Sequence, residues 1–550
     1  MGFVSNKDYI PDFAVYEEPN EVVRIKTITP RIPPVTGTQF SPGQTIRLEF
    51  PSQGYLNPVR TNLEFSVTLF GAQVTTAGVS IDGSNTYSIT SPQIRFQNNI
   101  QSIFDRVRIM YGSTPLEDLL DYNQIVRCKT EWYKPDCVST MNQFSVAEGI
   151  GGTLNAVANT TGTGTSRQSV RSRFIQGLCG TTDNAFNGFS RDGSNVPNAV
   201  GGISCLSNTV GTWACTRTYQ ITLDGSGLMN QKKLIPLKWM ASQLAIELTL
   251  TDPKNCIFIT GNGGVTLSSN KIGAGASVAP VFAPLVPTYR VFDVVLKPEI
   301  LEMSPSYDQM FLKVVSERGG VTLRFDSWNT YHYPNTGGST CRLDVKDRSK
   351  SIRHMVCLQR YQNPTYIYDM HGSVNGSGPE TFLSSYQWKV GNTYYPPYPV
   401  IGYLANAPTI TNGGVEAYAN LKNMMLRNDL YVSQSNISIV NWGLINDVPL
   451  NLLLDYTAQL RGYQDNGDSN ITLPAQNVAG EMASATFAAV VDLESSHGLE
   501  IGGFDGETVD DIAFIGQYSG TQSSSFEFLV MVNYDAQIVL SSDNVLKLIR

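Results

Sequence analysis

Histidine chemistry has little support in this chain. Four histidines occur in 550 residues, and the sequence contains neither an HExxH motif nor an HxH pair. A zinc hydrolase of the HExxH type needs two histidines on one helix face with a glutamate between them. We therefore predict structural or surface roles for all four, which are His332, His354, His371 and His497.

A nucleophilic serine is equally unsupported. The strained G-x-S-x-G turn is absent, and the nearest sequence, Gly225-Ser226-Gly227, places the glycines directly beside the serine. The glycine-rich stretches 261–264 and 273–275 lack the G-x-x-x-x-G-K-[ST] pattern that holds phosphate, and no strand and helix flank them. We predict no catalytic residue, no nucleotide and no cofactor.

Metal ligands and paired carboxylates give no stronger signal. Eight cysteines include no CxxC pair, so free thiols are expected rather than a zinc site or a disulfide framework. Asp465–Asp468 lacks the ligand series of a calcium-binding EF-hand loop. We predict no metal. Asp510-Asp511 leaves a carbohydrate-active enzyme open as a third-ranked alternative, because glycosidases use two carboxylates.

The composition favours a large, weakly charged β protein. Hydrophobic residues make up 41% of the chain and charged residues only 16%, which excludes long charged helices and coiled coils. A net charge of −8 argues against specific nucleic-acid binding as the main function. No apolar run is long enough to span a membrane, and the first residues lack the apolar core of a secretory signal.

Alternating apolar residues predict most of the secondary structure. Leu63, Phe65, Val67 and Leu69 alternate with polar residues, and the stretches 244–250 and 321–325 repeat the pattern. Successive side chains of a strand point to opposite faces, so each of these strands has one buried face. The nearly continuous apolar run Phe526–Val532 predicts a central strand that is covered on both faces.

Few helices are predicted. One begins at Thr114-Pro115 with Glu117 as its capping-box residue and continues to about Val126, one covers Pro305–Glu317 and ends at Gly319-Gly320, and one covers Val415–Arg427. The halves of the chain share an order of strands, a helix and further strands. Residues 149–212 and 261–287 are polar and rich in glycine, and we expect 149–212 to form a surface protrusion.

Three stretches of the chain carry a resemblance to a known family. The first runs from Phe96 to Ile125 and contains Asp121-Tyr122-Asn123-Gln124-Ile125. The second contains Leu234–Trp239 and continues to Val315. The third contains Ser384–Gly391, Tyr394-Tyr395-Pro396 and Glu416-Ala417-Tyr418. In their order and spacing they resemble the major capsid proteins of the double jelly-roll lineage of double-stranded DNA viruses, which includes virophages, polinton-like viruses and adenoviruses. The resemblance extends from about residue 36 to residue 550.

The resemblance implies an all-β fold of two consecutive eight-stranded jelly-roll sandwiches, with long loop insertions and a few short helices. It divides the chain into an N-terminal arm (1–35), a first jelly roll (36–303) with the insertion 149–212, a linker helix (304–320) and a second jelly roll with a C-terminal tail (321–550). It implies a non-enzymatic major capsid protein whose pseudo-hexagonal homotrimers tile an icosahedral shell.

Assembly then determines the expected partners, which are further copies of the chain together with penton and minor capsid proteins. We expect the protein in the virion after synthesis in the host cytoplasm. Stiff prolines and half-exposed tyrosines suit a contact surface, so the predicted interface residues are Tyr394, Tyr395, Pro396, Pro397 and Tyr398. Packing within the domain is the competing interpretation of that segment. The alternative function is a viral β-sandwich fibre or spike that binds a receptor or carbohydrate.

Overall fold

The structure is a computed structural model that describes seventeen stretches of the chain. These are residues 24–71, 79–80, 86–87, 93–96, 100–133, 203–204, 213–231, 233–260, 288–335, 337–361, 383–401, 415–428, 488–494, 502–509, 511–522, 526–541 and 546–549. The predicted protrusion 149–212 lies outside them apart from 203–204, and so does the arm 1–35 apart from 24–35.

The first half of the chain forms a sandwich of two antiparallel sheets. One sheet has the strand order β1-β14-β4-β11, with β2 also paired to β14, and the other has the order β3-β12-β8-β9. The strands are β1 (Arg24–Ile28), β2 (Gln39–Phe40), β3 (Thr45–Glu49), β4 (Tyr55–Gly71), β8 (Phe104–Tyr111), β9 (Thr114–Leu119), β11 (Trp213–Ile221), β12 (Leu244–Leu250) and β14 (Thr288–Met303).

Short strands lie beside this first sandwich. One small sheet has the order β10-β7-β13, and β5 pairs with β6. These strands are β5 (Val79–Ser80), β6 (Thr86–Tyr87), β7 (Gln93–Phe96), β10 (Ile203–Ser204) and β13 (Ile257–Thr260).

The second half repeats the arrangement. Its sheets have the orders β15-β22-β17-β20, with β23 also paired to β22, and β16-β21-β18-β19. The strands are β15 (Gly320–Pro334), β16 (Gly338–Val345), β17 (Ile352–Tyr361), β18 (Leu383–Val390), β19 (Thr393–Ile401), β20 (Ala489–Asp492), β21 (Ile512–Gln522), β22 (Phe526–Ser541) and β23 (Leu546–Ile549).

Both halves have the strand order of a jelly roll. When the eight main strands of each half are lettered B to I along the chain, one sheet reads B-I-D-G and the other C-H-E-F, with β1 and β2 sharing position B in the first half. Each sandwich therefore contains eight strand positions in two interleaved sheets. The predicted fold of two consecutive jelly-roll sandwiches is confirmed.

Apolar side chains of the two sheets meet inside each sandwich. Phe65 of β4 contacts Phe104 of β8 with ring centroids 5.7 Å apart, and Tyr518 of β21 lies 6.5 Å from Phe528 of β22. The predicted inward residues of β4 are at most 2% exposed, and residues 528–532 of β22 are at most 1% exposed. The doubly covered strand is thus confirmed. The predicted inward face of β4 is buried as well, but its polar Ser66 and Thr68 are also buried, at 6% and 8% exposed, so the other face of this strand is not open to water there.

The described stretches contain five helices between these strands. They are α1 (Tyr122–Tyr133), α2 (Gly227–Asn230), α3 (Pro253–Cys256), α4 (Pro305–Arg318) and α5 (Val415–Asn428), with 3₁₀ turns at Ile100–Ile103 and Leu237–Trp239. Helix α4 joins the sandwiches; its N-cap is Ser304, and it ends at Gly319, which has a left-handed φ of 72°. Helices α1 and α5 each follow the F strand of their own sandwich, so the two halves repeat in topology.

The predicted start of the first helix is wrong. Thr114–Leu119 forms β9, which pairs with β8 through a hairpin at Gly112-Ser113, and the helix begins at Tyr122. Gly112 has a φ of 57°, which favours a tight turn and returns the chain antiparallel to β8. The cross-strand pairing outweighs the local capping pattern, and Glu117 has a different role from the predicted one.

The strand directions give each sandwich two distinct ends. In both halves the D–E, F–G and H–I connections leave from one end, and the C–D, E–F and G–H connections leave from the other. The linker α4 joins the second end of the first sandwich to the second end of the next. Residues 149–212 lie in the F–G connection of the first sandwich, and residues 429–487 lie in that of the second. The F and G strands on either side of the two stretches therefore meet them at the same end of the molecule.

Candidate functional site

The two sandwiches meet at a buried carboxylate. Glu117 of β9 is 1% exposed and lies at the F edge of the first sandwich. Its carboxylate accepts hydrogen bonds from the amides of Gly227 (2.9 Å) and Leu228 (3.3 Å) and from the hydroxyl of Ser226. The hydroxyl of Ser327, in strand β15 of the second sandwich, donates a further bond of 3.2 Å to it.

Burial has a strong electrostatic effect on this carboxylate. Loss of water raises the pKa of Glu117 to about 7, because a charge is disfavoured in a nonpolar environment. The bonds from Ser226 and the Gly227 amide oppose that rise, and the neighbouring Asp326 adds to it. Both protonation states are therefore populated near neutral pH.

Two further contacts between the sandwiches, a close approach of the backbones and an ion pair, lie beside the Glu117 carboxylate. A Cβ atom on Gly227 would lie 1.6 Å from the carbonyl oxygen of Asp326, so only glycine allows this approach. Lys129 of α1 places its Nζ 3.5 Å from the Asp326 carboxylate. Burial alone would raise the pKa of Asp326, but Lys129 and Arg353, helped by a hydrogen bond from Asn533, lower it to about 2.

A third contact between the sandwiches lies further along β15. The Asp121 carboxylate accepts a bond of 3.0 Å from the Thr330 hydroxyl and lies 2.7 Å from Nε2 of His332. His332 also places Nδ1 3.9 Å from Glu527. We call the combined surface the inter-sandwich junction: Glu117, Asp121 and Lys129 against Asp326, Ser327, Thr330 and His332.

The linker helix is held against the first sandwich by an aromatic cluster. The hydroxyl of Tyr55 donates to Asp308 of α4 (2.8 Å) and accepts from the indole nitrogen of Trp239 (2.9 Å). Lys238 pairs with Asp308 and lies 4.9 Å from the centre of the Trp239 ring. The Tyr55 ring meets Phe311 edge to face at 5.7 Å. These contacts fix the helix that connects the sandwiches.

The predicted interface residues lie on the F strand of the second sandwich. Among the described residues β19 pairs with β18 alone, so its outer edge faces away from the sheet. Tyr398 is 80% exposed and Tyr394 42% exposed, whereas Tyr395 is half-buried against the core. The peptide bond between Tyr395 and Pro396 is cis. We call Thr393–Ile401 the open edge.

The open edge corresponds in register to the inter-sandwich junction. Both E–F hairpins turn at a glycine with positive φ, Gly112 and Gly391. In the first sandwich Glu117 lies opposite Ile109, two residues before the end of the E strand, and in the second Tyr395 lies opposite Trp388 at the same distance from the end. The counterpart of Glu117 in the second sandwich is thus Tyr395, a half-buried residue of the open edge.

The register also locates the inserted prolines. Two positions further back along the E strand, Val107 pairs with Leu119, and Tyr386 pairs with Val400. One residue separates Glu117 from Leu119 in the first sandwich, whereas four separate Tyr395 from Val400 in the second, and these are Pro396, Pro397, Tyr398 and Pro399. The proline-rich segment is therefore an insertion at the place where the first sandwich meets its neighbour.

The residues considered for catalysis take structural roles where the structure describes them. Ser226 caps α2 by accepting from the Met229 amide, besides donating to Glu117. His354 is 2% exposed beside Trp328, and burial, followed by the charge of Arg353, lowers its pKa to about 3. Asp511 pairs with Arg342 and Lys389. His371, His497, Asp510 and the stretch 465–468 lie outside the described residues.

Searches for metal sites and membrane spans covered the same part of the chain. Within it, no three His, Cys, Asp or Glu side chains are grouped so as to hold a metal ion. None of its helices combines the length and the hydropathy needed to cross a membrane.

The topology and the junction define a protein of the double jelly-roll class. No protein-family model matches the chain. No curated protein matches its sequence. Solved structures do match, and one is a chain in the cryo-EM structure of the Sputnik virophage. It is 10% identical, with a TM-score of 0.51, and the alignment covers 97% of this chain and 90% of that one.

Two further solved structures align over nearly their whole length. The mavirus major capsid protein is 9% identical with a TM-score of 0.45, and the alignment covers 100% of this chain and 95% of that one. The Faustovirus major capsid protein is 10% identical with a TM-score of 0.44, covering 96% and 92%. At this identity the Sputnik likeness shows a shared fold, which agrees with the strand order found here.

The junction residues were not predicted from the sequence. Glu117 and Ser327 are 210 residues apart, and the one motif that contains Glu117, a capping box, predicts a different role for it. A weak signal exists in Gly225-Ser226-Gly227, an unusual small-residue cluster in a segment that follows a strand. Its spacing does not fit a nucleophile, and its small size serves the close approach of β15.

Proposed function

We propose that the chain is a major capsid protein whose homotrimers tile an icosahedral virus shell. The observation that carries this proposal is the unequal coverage of equivalent surfaces. The F edge of the first sandwich is covered by the second sandwich, while the F edge of the second sandwich exposes Tyr394 and Tyr398. The fold shared with a chain of the Sputnik virophage supports the same assignment.

A trimer follows from repeating the inter-sandwich junction between chains. Within a chain the F edge of the first sandwich contacts position B of the second. If the F edge of the second sandwich contacts position B of the next chain's first sandwich in the same way, three chains close a ring of six sandwiches. Such a head-to-tail contact joins different surfaces and forms a closed ring when its rotation is one third of a turn. Six similar sides allow the ring to pack against six neighbours in a shell.

The open edge suits a permanent contact better than a free surface. Tyr398 and Tyr394 offer large amphipathic rings, and the adjacent prolines hold the backbone extended at little entropic cost. Prolines also prevent an edge strand from pairing with a foreign strand. The surface is therefore suited to side-chain packing against a second copy.

Other parts of the proposal concern partners and location. Penton and minor capsid proteins would complete the shell at its vertices and inner face, and the part of the predicted arm 1–35 that precedes β1 would reach a neighbour. The protein would act in the virion after synthesis in the host cytoplasm. Its contribution is structural, and we assign it no enzymatic activity.

The oligomeric state of the purified chain tests the proposal. We expect a stable species of about three times the 60.3 kDa chain mass in mass photometry at micromolar concentration. Electron micrographs of concentrated protein should show hexagonal tiles or shells. Monomers alone under these conditions would contradict the proposal.

A matched pair of variants tests the open edge itself. Tyr394→Ser with Tyr398→Ser should leave a folded monomer, because both side chains are exposed and contribute little to the core. Val59→Ser with Met310→Ser is the control, since these side chains are 47% and 57% exposed but lie away from the open edge. Trimers that survive the tyrosine changes would show that the contact lies elsewhere.

A further inference from the structure

Position B of the first sandwich is the exposed counterpart of the strand that completes the inter-sandwich junction. In the second sandwich that strand is β15, whose Ser327 pairs with Tyr534 of β22. In the first sandwich the corresponding segment lies beside β14, where Ile32 pairs with Leu296. The two I strands, β14 and β22, are each 16 residues long and run antiparallel to these segments, so they provide a common register.

This register assigns equivalent positions in the two B segments. Tyr534 and Leu296 are both seven residues before the end of their strands, so Ile32 corresponds to Ser327. Phe40, which pairs with Val291, corresponds by the same count to His332, which pairs with Leu529. Segment 31–40 is therefore the first sandwich's equivalent of the surface that Glu117 and Asp121 contact.

Segment 31–40 carries an insertion, as the open edge does. Seven residues separate Ile32 from Phe40, whereas four separate Ser327 from His332. The inserted part contains Pro33-Pro34-Val35, and the Val35 side chain is 63% exposed. The amide of Val35 donates to the carbonyl of Arg47 in β3, which holds the segment against the neighbouring strand.

We infer that segment 31–40 of one chain receives the open edge of the next, with Val35 packed against Tyr398 and Tyr394. This inference rests on the proposed function and names the two surfaces of its contact between chains. Val35, Tyr394, Tyr398 and Ile401 are four of the nine large hydrophobic side chains found exposed in the described residues. They are concentrated on segment 31–40 and on the open edge, the two surfaces that correspond to the two sides of the inter-sandwich junction. This concentration matches an apolar contact that excludes water.

The charges at these places also complement each other. At the inter-sandwich junction an acid of the B strand, Asp326, faces a base of the helix after the F strand, Lys129. The inferred contact between chains would bring the opposite signs together. Arg31, which precedes Ile32, is exposed. Glu416, in the first turn of α5, is exposed and accepts a hydrogen bond of 3.1 Å from the Ile401 amide, so its carboxylate lies at the end of the open edge.

Proximity cross-linking tests the inferred contact. Val35→Cys and Tyr398→Cys would be made in separate chains, mixed under assembly conditions and treated with a short bismaleimide. We expect a covalent two-chain product from the mixture and only background from either chain alone, which also controls for the native cysteines. A chain with both substitutions should yield covalent trimers, whereas Val59→Cys with Tyr398→Cys should not.

The outcomes separate this inference from the function on which it rests. Trimers in mass photometry without any Val35–Tyr398 product would overturn the inferred pairing and leave the capsid proposal standing. Monomers in every preparation would instead contradict the proposed function. A product from the Val59 control as strong as that from Val35 would likewise overturn the pairing.

Discussion

Ser327 of the second sandwich donates a hydrogen bond of 3.2 Å to Glu117 of the first, across 210 residues of sequence. The same carboxylate binds two backbone amides and Ser226 of its own sandwich. One buried side chain thus satisfies donors from both halves of the chain. Because an unpaired buried donor costs about 1–3 kcal/mol, its loss would affect both sandwiches together.

Glu117 should make the stability of the protein depend on pH. Its pKa rises from the ordinary value of 4.5 to about 7 on folding, so the folded chain binds more protons than the unfolded chain between these values. The contribution of Glu117 to stability is then greatest below pH 4.5, falls by at most about 3 kcal/mol as the pH rises to 7 and is constant above it. His354, whose pKa is lowered to about 3 on folding, has the opposite effect below its ordinary value of 6.5. Urea unfolding of the native chain and of Glu117→Gln at pH 5 and pH 8 therefore isolates the contribution of Glu117.

Glu117→Gln provides the control for that pH dependence. The amide keeps the size and an accepting oxygen but does not titrate. The change in unfolding free energy between pH 5 and pH 8 should therefore differ between the two proteins by the fall that Glu117 contributes. Other buried groups with shifted pKa, such as His354, titrate in both proteins and cancel in the comparison. An unchanged slope in the variant would show that Glu117 is not the titrating group.

Gly227→Ala should separate the sandwiches or unfold the chain. The new methyl group would overlap the carbonyl of Asp326, so β15 must move, at a cost of about 3 kcal/mol. Gly43→Ala is a suitable control, because Gly43 has a φ of 80° but no heavy atom within 4 Å of the new Cβ. It should cost only about 1–2 kcal/mol of backbone strain. Equal losses of thermal stability would contradict the close contact.

The regular parts of this fold could be predicted from the sequence, because they depend on local alternation. The apolar residues that alternate in Leu63–Leu69 and Leu244–Leu250 are buried as predicted, because strand geometry places them on one face. The helix predicted from Thr114 failed because a hairpin partner competes with a capping box, and the partner is not visible locally. Glu117 could not be assigned its role for the same reason: its donors come from three distant segments.

The proposed assembly surface is only partly accessible to the same reasoning. Residue types alone predict a contact segment at Tyr394–Tyr398, since tyrosine and proline suit half-exposed packing. Its correspondence to Glu117 in the other sandwich needs the register of two hairpins, which no sequence pattern contains. The segment 31–40 has no pattern of its own, so the role proposed for it is argued from the structure.

Tyr55→Phe should loosen the linker helix. The hydroxyl accepts from Trp239 and donates to Asp308, so its removal leaves a half-buried indole donor unpaired. We expect a loss of about 1–3 kcal/mol in the free energy of unfolding. Tyr398→Phe is the matched control, because Tyr398 is 80% exposed. Removing its hydroxyl should not affect folding of the monomer. A neutral Tyr55→Phe would contradict the anchoring role.

Replacing prolines in the open edge should promote aggregation before it affects folding. Pro397 and Pro399 are exposed on a strand that pairs on one side, and each lacks the amide that a foreign strand would need. Pro397→Thr with Pro399→Val restores two donors and adds residues with a strong preference for strands. Light scattering should rise with concentration, and adding Tyr398→Lys should reduce it, because a charge on an exposed edge opposes strand pairing. A variant that remains monodisperse as trimers without the lysine would show that the contact between chains, rather than the prolines, protects this edge.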